Sequence, residues 1–138
     1  MKDLEEMRGR LEAPDYKFLR RNGRTTLAMK EGMPAVEEAI NFCRSAKQVP
    51  RLNWNEELYE AAKYHVEDTG KNGLVQHEST DGTTVKDRLS RYGKIITSYG
   101  ENVTFNTANA LEIVLQALVD DGVKNRGHRE NLFNPEFR

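Results

Sequence analysis

The sequence predicts an α+β fold, in which helices pack on a small sheet. Three observations predict it. Apolar residues recur at helical spacing twice between residues 34 and 70, β-branched residues follow between 95 and 105, and another helical pattern comes after them. A chain of 138 residues is long enough for one domain with one core. We expect a domain over residues 34–138, preceded by an N-terminal arm of residues 1–33.

The arm is predicted from composition. Residues 1–33 are polar and poorly periodic, and prolines and glycines would interrupt any long helix. Between Lys17 and Lys30 the chain has no acidic residue; its basic residues there are Lys17, Arg20, Arg21, Arg24 and Lys30. Two interpretations stay open for this segment: it lies along an acidic protein surface, or it is a disordered solubilising tail.

Two helices are predicted next. Pro34 suits the first turn of a helix that ends before Pro50, with Cys43 at an apolar position of that helix. In the second helix, Asn53 stands three residues before Glu56 in a capping arrangement, and Gly70 closes the helix. One side of it is expected to be buried, and it carries Leu58, Ala61, Ala62, His65, Val66 and Thr69. His65 is therefore expected to be a packing residue.

The remaining elements are shorter. A turn at Asp81-Gly82 precedes a short helix with Val85, Leu89 and Tyr92 in register. The segments 95–97 and 103–105 predict two strands that flank a bend at Gly100. The last predicted helix ends at Gly122, and its apolar residues are Ala108, Leu111, Val114, Leu115 and Leu118.

Composition excludes several classes of protein. A net charge of -1 and a pI near 6.3 do not fit a nucleic-acid binder, which normally carries a concentrated basic face. Cys43 is the single cysteine, so no disulfide can form within the chain, and burial as a small apolar side chain is expected for it. No stretch reaches transmembrane length, and the N-terminal residues contain no apolar leader core. These features favour an intracellular protein.

Two histidines and an acid are the candidate chemical groups. His77, Glu101 and His128 could meet in one cleft, where two imidazoles can ligate a divalent metal and a carboxylate can orient them or accept a proton. The alternative is a polar network that joins loops without binding anything. Motifs for nucleophilic catalysis, such as a Gly-x-Ser-x-Gly elbow, are absent from the sequence.

The order of these motifs resembles a known family. Gln76-His77-Glu78, then Gly100-Glu101-Asn102, then Gly127-His128-Arg129-Glu130-Asn131 follow a helix start that reads Leu52-Asn53-Trp54-Asn55-Glu56-Glu57-Leu58. This pattern is similar to the CAP superfamily of cysteine-rich secretory and pathogenesis-related proteins. The resemblance covers roughly residues 35–137. The chain departs from many secreted members in having no cysteine pair.

The resemblance implies a three-layer α-β-α sandwich with a small, mostly antiparallel sheet. The closing strands of such a sheet would follow Pro135-Glu136-Phe137, where Arg138 alone remains, so we expect an incomplete sheet with an open edge.

The resemblance also implies a cleft with two histidines and two acids. His77, Glu101 and His128 match three of these positions, and Asp121 is the better candidate for the second acid, with Asp120 as the alternative. His77 and His128 would be the ligands of zinc or another divalent metal. Trp54 and Asn102, together with Arg129 and Asn131, match motif positions.

Physical reasons give some of these residues structural roles. Trp54 is expected to supply buried area, and Asn102 to bond backbone groups across the Gly100 bend. The two arginines beside His128, Arg126 and Arg129, are expected to hold the loop on an acidic residue; the candidates are Asp120, Asp121 and Glu130.

These observations predict a non-catalytic CAP-type binding or structural module within a larger intracellular assembly, such as a cytoskeletal or ciliary scaffold. Its protein partners would bind through the arm and the open sheet edge. No cofactor is required by this interpretation. The alternatives are a secreted lipid- or sterol-binding protein and a divalent-metal-dependent hydrolase that uses the His/Glu cleft. An enzyme is the less favoured class.

Overall fold

The computed structural model describes residues 1–19, 26–93, 98–105, 107 and 109–137, except for the side chain of Phe18. The helices are α1 Lys2–Gly9, α2 Met33–Ser45, α3 Glu56–Gly70, α4 Val85–Tyr92, α5 Ala110–Val119 and α6 Gly127–Leu132. The strands are β1 Leu11–Glu12, β2 Phe18–Leu19 and β3 Leu27–Ala28. These elements form two compact units: unit 1 comprises Met1–Gln48 and Asn106–Phe133, and unit 2 comprises Val49–Phe105 and Asn134–Arg138.

Unit 1 has an apolar core between helices. α2 packs against α1 and α5, and α5 packs against α6. The three strands form an antiparallel sheet in the order β1-β2-β3, with Leu11 opposite Leu19 and Leu19 opposite Leu27. The buried core comprises Leu4, Met7, Leu11, Leu19, Met29, Ala35, Val36, Ala39, Ile40, Leu115 and Val119. Cys43 is half-buried and packs against this core, as its apolar helix position predicted.

Unit 2 is built on the packing of α3 against α4. Asn55 begins α3, because its side chain accepts a hydrogen bond from Leu58 N at 2.9 Å. Thr84 begins α4 with a capping box, in which Asp87 completes the pair. The buried described residues of this unit are mostly polar: Ala61, His65, Thr69, Ser79, Thr83 and Arg88.

The structure of the N-terminal residues contradicts the interpretation of the arm as a disordered tail, wherever these residues are described. Residues 17–19 and 26–30 are not a disordered tail where they are described, because Leu19 and Met29 are buried in the core of unit 1. The helix α1 was not predicted either, because its short pattern contains only two buried apolar residues, Leu4 and Met7. Arg20, Arg21 and Arg24 lie outside the described residues. The domain boundary after residue 33 stays a prediction.

Several element predictions need correction. Asn55, rather than Asn53, caps α3. α5 ends at Val119, three residues before the predicted end at Gly122. It ends there because Asp120 adopts a left-handed conformation with φ of 53°. Residues 103–105 form no strand in the structure, while residues 95–97 and Ala108 lie outside the described residues. The layered CAP sheet therefore stays a prediction. In the described ranges, no helix combines the length and apolar character needed to cross a membrane.

The exposed faces of α3 and α5 also differ from expectation. On α3, Ala61, His65 and Thr69 are buried, whereas Leu58 and Val66 are exposed. On α5, the exposed apolar residues include Leu111 and Val114, which the helical pattern had placed in the core; Leu115 is buried. A helical period determines which residues share a face, but not how much of that face is covered.

Candidate functional site

The first predicted histidine belongs to a network in unit 2. His77 Nδ1 lies 2.8 Å from Glu101 Oε1, and the other oxygen of Glu101 accepts a hydrogen bond from Arg88 Nη2. The side chain of His77 is 50% exposed and that of Glu101 is 18% exposed, whereas Arg88 is fully buried. Glu101 therefore bridges a surface histidine and a buried arginine.

Arg88 connects this pair to the rest of unit 2. Its Nη1 donates to His77 O at 3.2 Å and to Ser79 Oγ at 3.3 Å. Ser79 Oγ also lies 3.5 Å from Nδ1 of the buried His65, whose Nε2 is 3.1 Å from Gln76 O. His65 is thus a satisfied packing residue, as predicted. The arginine carries the positive charge that balances Glu101, and it holds the loop that contains His77.

The apolar pattern of α4 predicts a buried face with Val85, Leu89 and Tyr92 and does not by itself single out Arg88. A signal was present, because Arg88 follows Val85 by three residues and precedes Tyr92 by four, so it shares their face. A charged residue within an apolar face is buried only when it is paired. The acid of the Gly-Glu-Asn motif, Glu101, is the candidate partner of Arg88.

The second predicted histidine belongs to unit 1. His128 Nδ1 lies 2.7 Å from Asp120 Oδ1, and the backbone N–H groups of His128 and Arg129 donate to Asp120 Oδ2 at 2.8 and 3.3 Å. Asp120 is buried, and the side chain of His128 is 28% exposed. A carboxylate at the start of α6 accepts two backbone hydrogen bonds and orients the imidazole.

Asp121 has a different position from its neighbour. Its carboxylate accepts hydrogen bonds from the backbone N–H groups of Lys30, Glu31 and Gly32, at 2.6, 2.9 and 3.0 Å. These groups lie just before α2. Asp120, the alternative for the second acid, is consequently the acid that contacts His128. Whether either residue serves in a cleft stays a prediction.

The two arginines beside His128 are engaged within unit 1. Arg126 bonds both Glu31 and Glu38, with Nη1 2.6 Å from Glu31 Oε1 and Nη2 2.6 Å from Glu38 Oε2. Arg129 donates to Glu38 at 2.6 Å and to the carbonyl of Val119 at 3.1 Å. Their charge is used internally, as expected, but the carboxylates are those of Glu31 and Glu38. Helix α2 and the segment before it supply these acids, which the local sequence did not indicate.

The electrostatics of this cluster follow from its hydrogen bonds. The guanidinium of Arg126, with the backbone N–H of Gly122, lowers the pKa of Glu31 to about 2. Arg126 also lowers the pKa of Glu38 below its usual range, and these two carboxylates raise the pKa of Arg126 further. All three groups stay charged at neutral pH.

The other motif residues have varied surroundings. Trp54 was expected to be buried but is 74% exposed; its Nε1 donates to Glu56 at 2.8 Å and its ring contacts Tyr59. It lies just before α3, where the described residues leave most of its ring exposed. Asn102 and Asn131 are both half-buried, and each has an interaction partner.

The candidate metal ligands occur as pairs among the residues that the structure describes. Among the described residues, no group of three or more His, Cys, Asp and Glu side chains has the arrangement of a metal site. A zinc site needs three or four protein ligands. The described contacts join His77 to one carboxylate, which Arg88 already neutralises, and join His128 to Asp120. In both pairs, His77 with Glu101 and His128 with Asp120, the carboxylate orients the imidazole and orders the loop that carries it.

Comparisons with known proteins agree with the motif order. The pattern that describes the CAP family, the cysteine-rich secretory protein family, matches residues 37–138, which is more than half of the chain. The chain is 28% identical over 100 residues to a protein of Bacillus subtilis strain 168 named "Uncharacterized membrane protein YlbC". The match covers 72% of this chain, which spans only 28% of that relative's length. No solved structure matches. The family match over the residues that carry the His, Gly-Glu-Asn and Gly-His-Arg motifs shows that the chain belongs to the CAP family.

Proposed function

We propose that the chain is a non-catalytic CAP module that serves as a protein-binding or structural part of a larger assembly. One observation carries the proposal: Glu101, the acid of the Gly-Glu-Asn motif, is paired with the buried Arg88. A carboxylate neutralised in this way orders the loops around it, and it is a poor general base or metal ligand.

The exposed surface supports a binding role. Among the described residues of unit 2, the exposed large apolar side chains are Leu52, Trp54, Leu58, Tyr59, Val66, Val75 and Tyr99. Scattered apolar residues are normal on a protein surface, whereas several along one helix form a face suited to packing against another segment, of this protein or of a partner. The N-terminal residues 1–33, predicted as a contact surface, remain part of the proposal, as does the intracellular, cytoskeletal or ciliary setting.

A metal-dependent hydrolase is the second candidate, because one observation favours it. His77 Nδ1 is held by a carboxylate, which is how metal-ligating histidines are commonly oriented, and its half-exposed side chain presents Nε2 without a hydrogen-bond partner among the described residues. This is one ligand, and the described residues do not supply the others. Lipid or sterol carriage ranks lower. One cavity within the described part of unit 1, lined by residues that include Met7, Arg10 and Leu115, has a volume of about 30 Å³ and by itself does not match the several hundred Å³ of typical ligand pockets.

Substitution of His77 separates the two candidates. Gln at this position can still donate a hydrogen bond to Glu101 but cannot replace an imidazole ligand, whereas Ala loses both properties. Under the proposal, calorimetric titration of the wild type with zinc shows no saturable binding. His77→Gln keeps the wild-type melting temperature and His77→Ala lowers it.

The contrary result is equally clear. Stoichiometric zinc binding by the wild type, lost in both His77→Gln and His77→Ala, would replace the proposed function with the metal-dependent candidate. His128→Ala is titrated with zinc in the same way. If His77 and His128 bind one metal ion together, His128→Ala should lose as much zinc binding as the His77 variants do.

A further inference from the structure

Residues 30–32, which precede α2, and residues 120–126, which precede α6, hold each other through two carboxylates. Asp121 accepts hydrogen bonds from the backbone N–H groups of residues 30–32, at 2.6, 2.9 and 3.0 Å. In return, Glu31 Oε1 accepts a hydrogen bond from the backbone N–H of Gly122 at 2.7 Å. Glu31 and Asp121 are 90 residues apart in the sequence, so these reciprocal bonds join two separate segments of unit 1.

The backbone at this junction is fitted for close approach. Gly32 has a φ of 70°, a conformation that favours glycine, and a Cβ at this position would collide with the carbonyl oxygen of Tyr16. Gly122, on the other side of the junction, has a φ of 78°. A side chain at either position would be strained, so the two segments depend on glycine to keep these hydrogen bonds.

Arg126 connects Glu31 to the start of α6. Its Nη1 and Nη2 atoms lie 2.6 and 2.8 Å from the two oxygens of Glu31, in a bidentate ion pair. Nη1 also donates to the carbonyl oxygens of Asp120 and Val123, at 2.8 and 3.2 Å. The backbone of Arg126 has a φ of 52° immediately before α6. Because a non-glycine residue keeps this conformation only when its surroundings hold it, the bonds of the guanidinium stabilise the shape of the turn.

His128 lies two residues beyond Arg126 and shares a partner with it. The carboxylate of Asp120 contacts the ring of His128 at 2.7 Å, and the carbonyl oxygen of Asp120 accepts a hydrogen bond from Arg126. A chain of contacts therefore runs from Glu31 through Arg126 and Asp120 to His128. We infer that Glu31 is a positioning residue for His128 and acts through Arg126. Glu31 precedes residues 37–138, which match the family, so a residue outside that match sets the geometry of a family motif.

Glu38 also contacts Arg126, but its carboxylate has a second role. It is shared between Arg126 and Arg129, so its removal would disturb two arginines. Among the described arginines, Glu31 bonds Arg126 alone, which makes Glu31 the cleaner link to the turn before α6. The inference goes beyond the proposed function, because it concerns how His128 is held and applies equally to a protein-binding module and to a metal site.

Nuclear magnetic resonance of the isotope-labelled full chain tests the inference, with every variant measured at the same pH. The ring nitrogen signals of His128 report how Asp120 holds Nδ1. Glu31→Gln removes the charge that holds Arg126 and keeps the size of the side chain. It is expected to shift these signals and to accelerate amide exchange at His128 and Arg129 about threefold. Glu31→Asp, which keeps the charge on a shorter side chain, is expected to have a smaller effect.

Three further variants separate positioning from general loosening. Glu37→Gln removes a charge at an exposed site on α2 and should leave the His128 signals unchanged. Asp121→Asn should accelerate exchange in the segment before α2 without shifting the His128 ring signals, because Arg126 keeps its bonds to Glu31. Arg126→Gln should shift the ring signals, and adding Glu31→Gln to it should cause no further shift.

Three results would overturn the inference. Unchanged His128 ring signals in Glu31→Gln would mean that Glu31 does not position this ring. An equal shift in Asp121→Asn would mean that any loosening of the N-terminal segment is sufficient. An additional shift when Glu31→Gln is combined with Arg126→Gln would mean that the effect bypasses Arg126. None of these measurements uses zinc, so failure of the inference is distinguishable from failure of the proposed function.

Discussion

The two units differ in what they bury. Unit 1 packs apolar side chains from α1, α2, α5 and the strands around one core, whereas the buried residues described in unit 2 are largely polar, with Arg88 at their centre. An apolar core is stabilised by area removed from water, and it tolerates the loss of one polar contact. A polar core depends on every partner being present, because an unpaired buried group is costly.

The histidines show the same difference. In unit 1 the pair of Asp120 and His128 is close in sequence and is supported by backbone hydrogen bonds. In unit 2 the pair of His77 and Glu101 is separated by 24 residues and depends on Arg88. We therefore expect substitutions of the acids to have unequal consequences in the two units.

The largest effect is expected for Glu101→Gln. Arg88 would keep its hydrogen bonds to His77 O and Ser79 but lose its counter-charge. Removing one partner of a buried ion pair costs about 3 to 5 kcal/mol, and we expect about 3 because Glu101 is 18% exposed. Urea unfolding followed by circular dichroism measures it.

Glu78→Gln, the same change at an exposed neighbouring site, is the control and should remain within about 0.5 kcal/mol of the wild type. A loss from Glu101→Gln no larger than that of the control would show that Arg88 does not need this partner.

A smaller effect is expected for Asp120→Asn. Asn tolerates the left-handed conformation of this position, so the change tests the carboxylate rather than the backbone. One amide oxygen cannot serve every donor that Asp120 accepts from His128 and Arg129, and we expect a loss of about 1 to 2 kcal/mol. Amide hydrogen exchange at the start of α6 should accelerate in this variant.

Asp121→Asn is the matched variant, and it should accelerate exchange at Lys30, Glu31 and Gly32 instead. If both variants loosened the same amides, the separate assignments of the two aspartates would be wrong.

The smallest effect, about 1 kcal/mol at neutral pH, is expected for Arg126→Gln, because its carboxylate partners are substantially exposed. The pH dependence of the stability lost in this variant tests the role of Arg126. Glu31 has a lower pKa in the folded chain, about 2 against 4.5, so its contribution is present above pH 4.5 and is lost as the pH falls towards 2. Glu38 shifts in the same direction. The variant should therefore lose less stability than the wild type over this range.

Arg44→Gln removes an exposed ion pair with Glu5 in the same unit and serves as the control. Parallel acid unfolding curves for the wild type and Arg126→Gln would contradict the role assigned to Arg126.

Much of the helical structure could be predicted from local pattern. α2, with its proline in the first turn and its buried Val36, Ala39 and Ile40, was expected nearly as it is found. α3 and α4 were also placed correctly within a few residues, since caps and apolar spacing are properties of adjacent residues. The short strands of residues 11–28 carry no alternating pattern long enough to detect.

The sequence could name candidate residues for the site, but not the contacts that these residues make. The family resemblance named His77 and Glu101 as members of one cleft, which stays a prediction; the contact between them, and the pairing of Glu101 with Arg88, came from the structure. Asp120 and Asp121 are adjacent and chemically identical, so no local rule distinguishes the one that meets His128 from the one that meets Lys30 and Gly32.

By itself, the sequence indicated the CAP family and the positions of α2 to α4, and it excluded a disulfide within the given chain, because motifs, caps and composition are properties of neighbouring residues. Only the tertiary structure decided that Arg88 is buried against Glu101 and that Glu31 and Glu38 hold Arg126. These outcomes depend on which segments meet in space, across separations of 13 to 95 residues, and a local period carries no information about the opposite side of a contact.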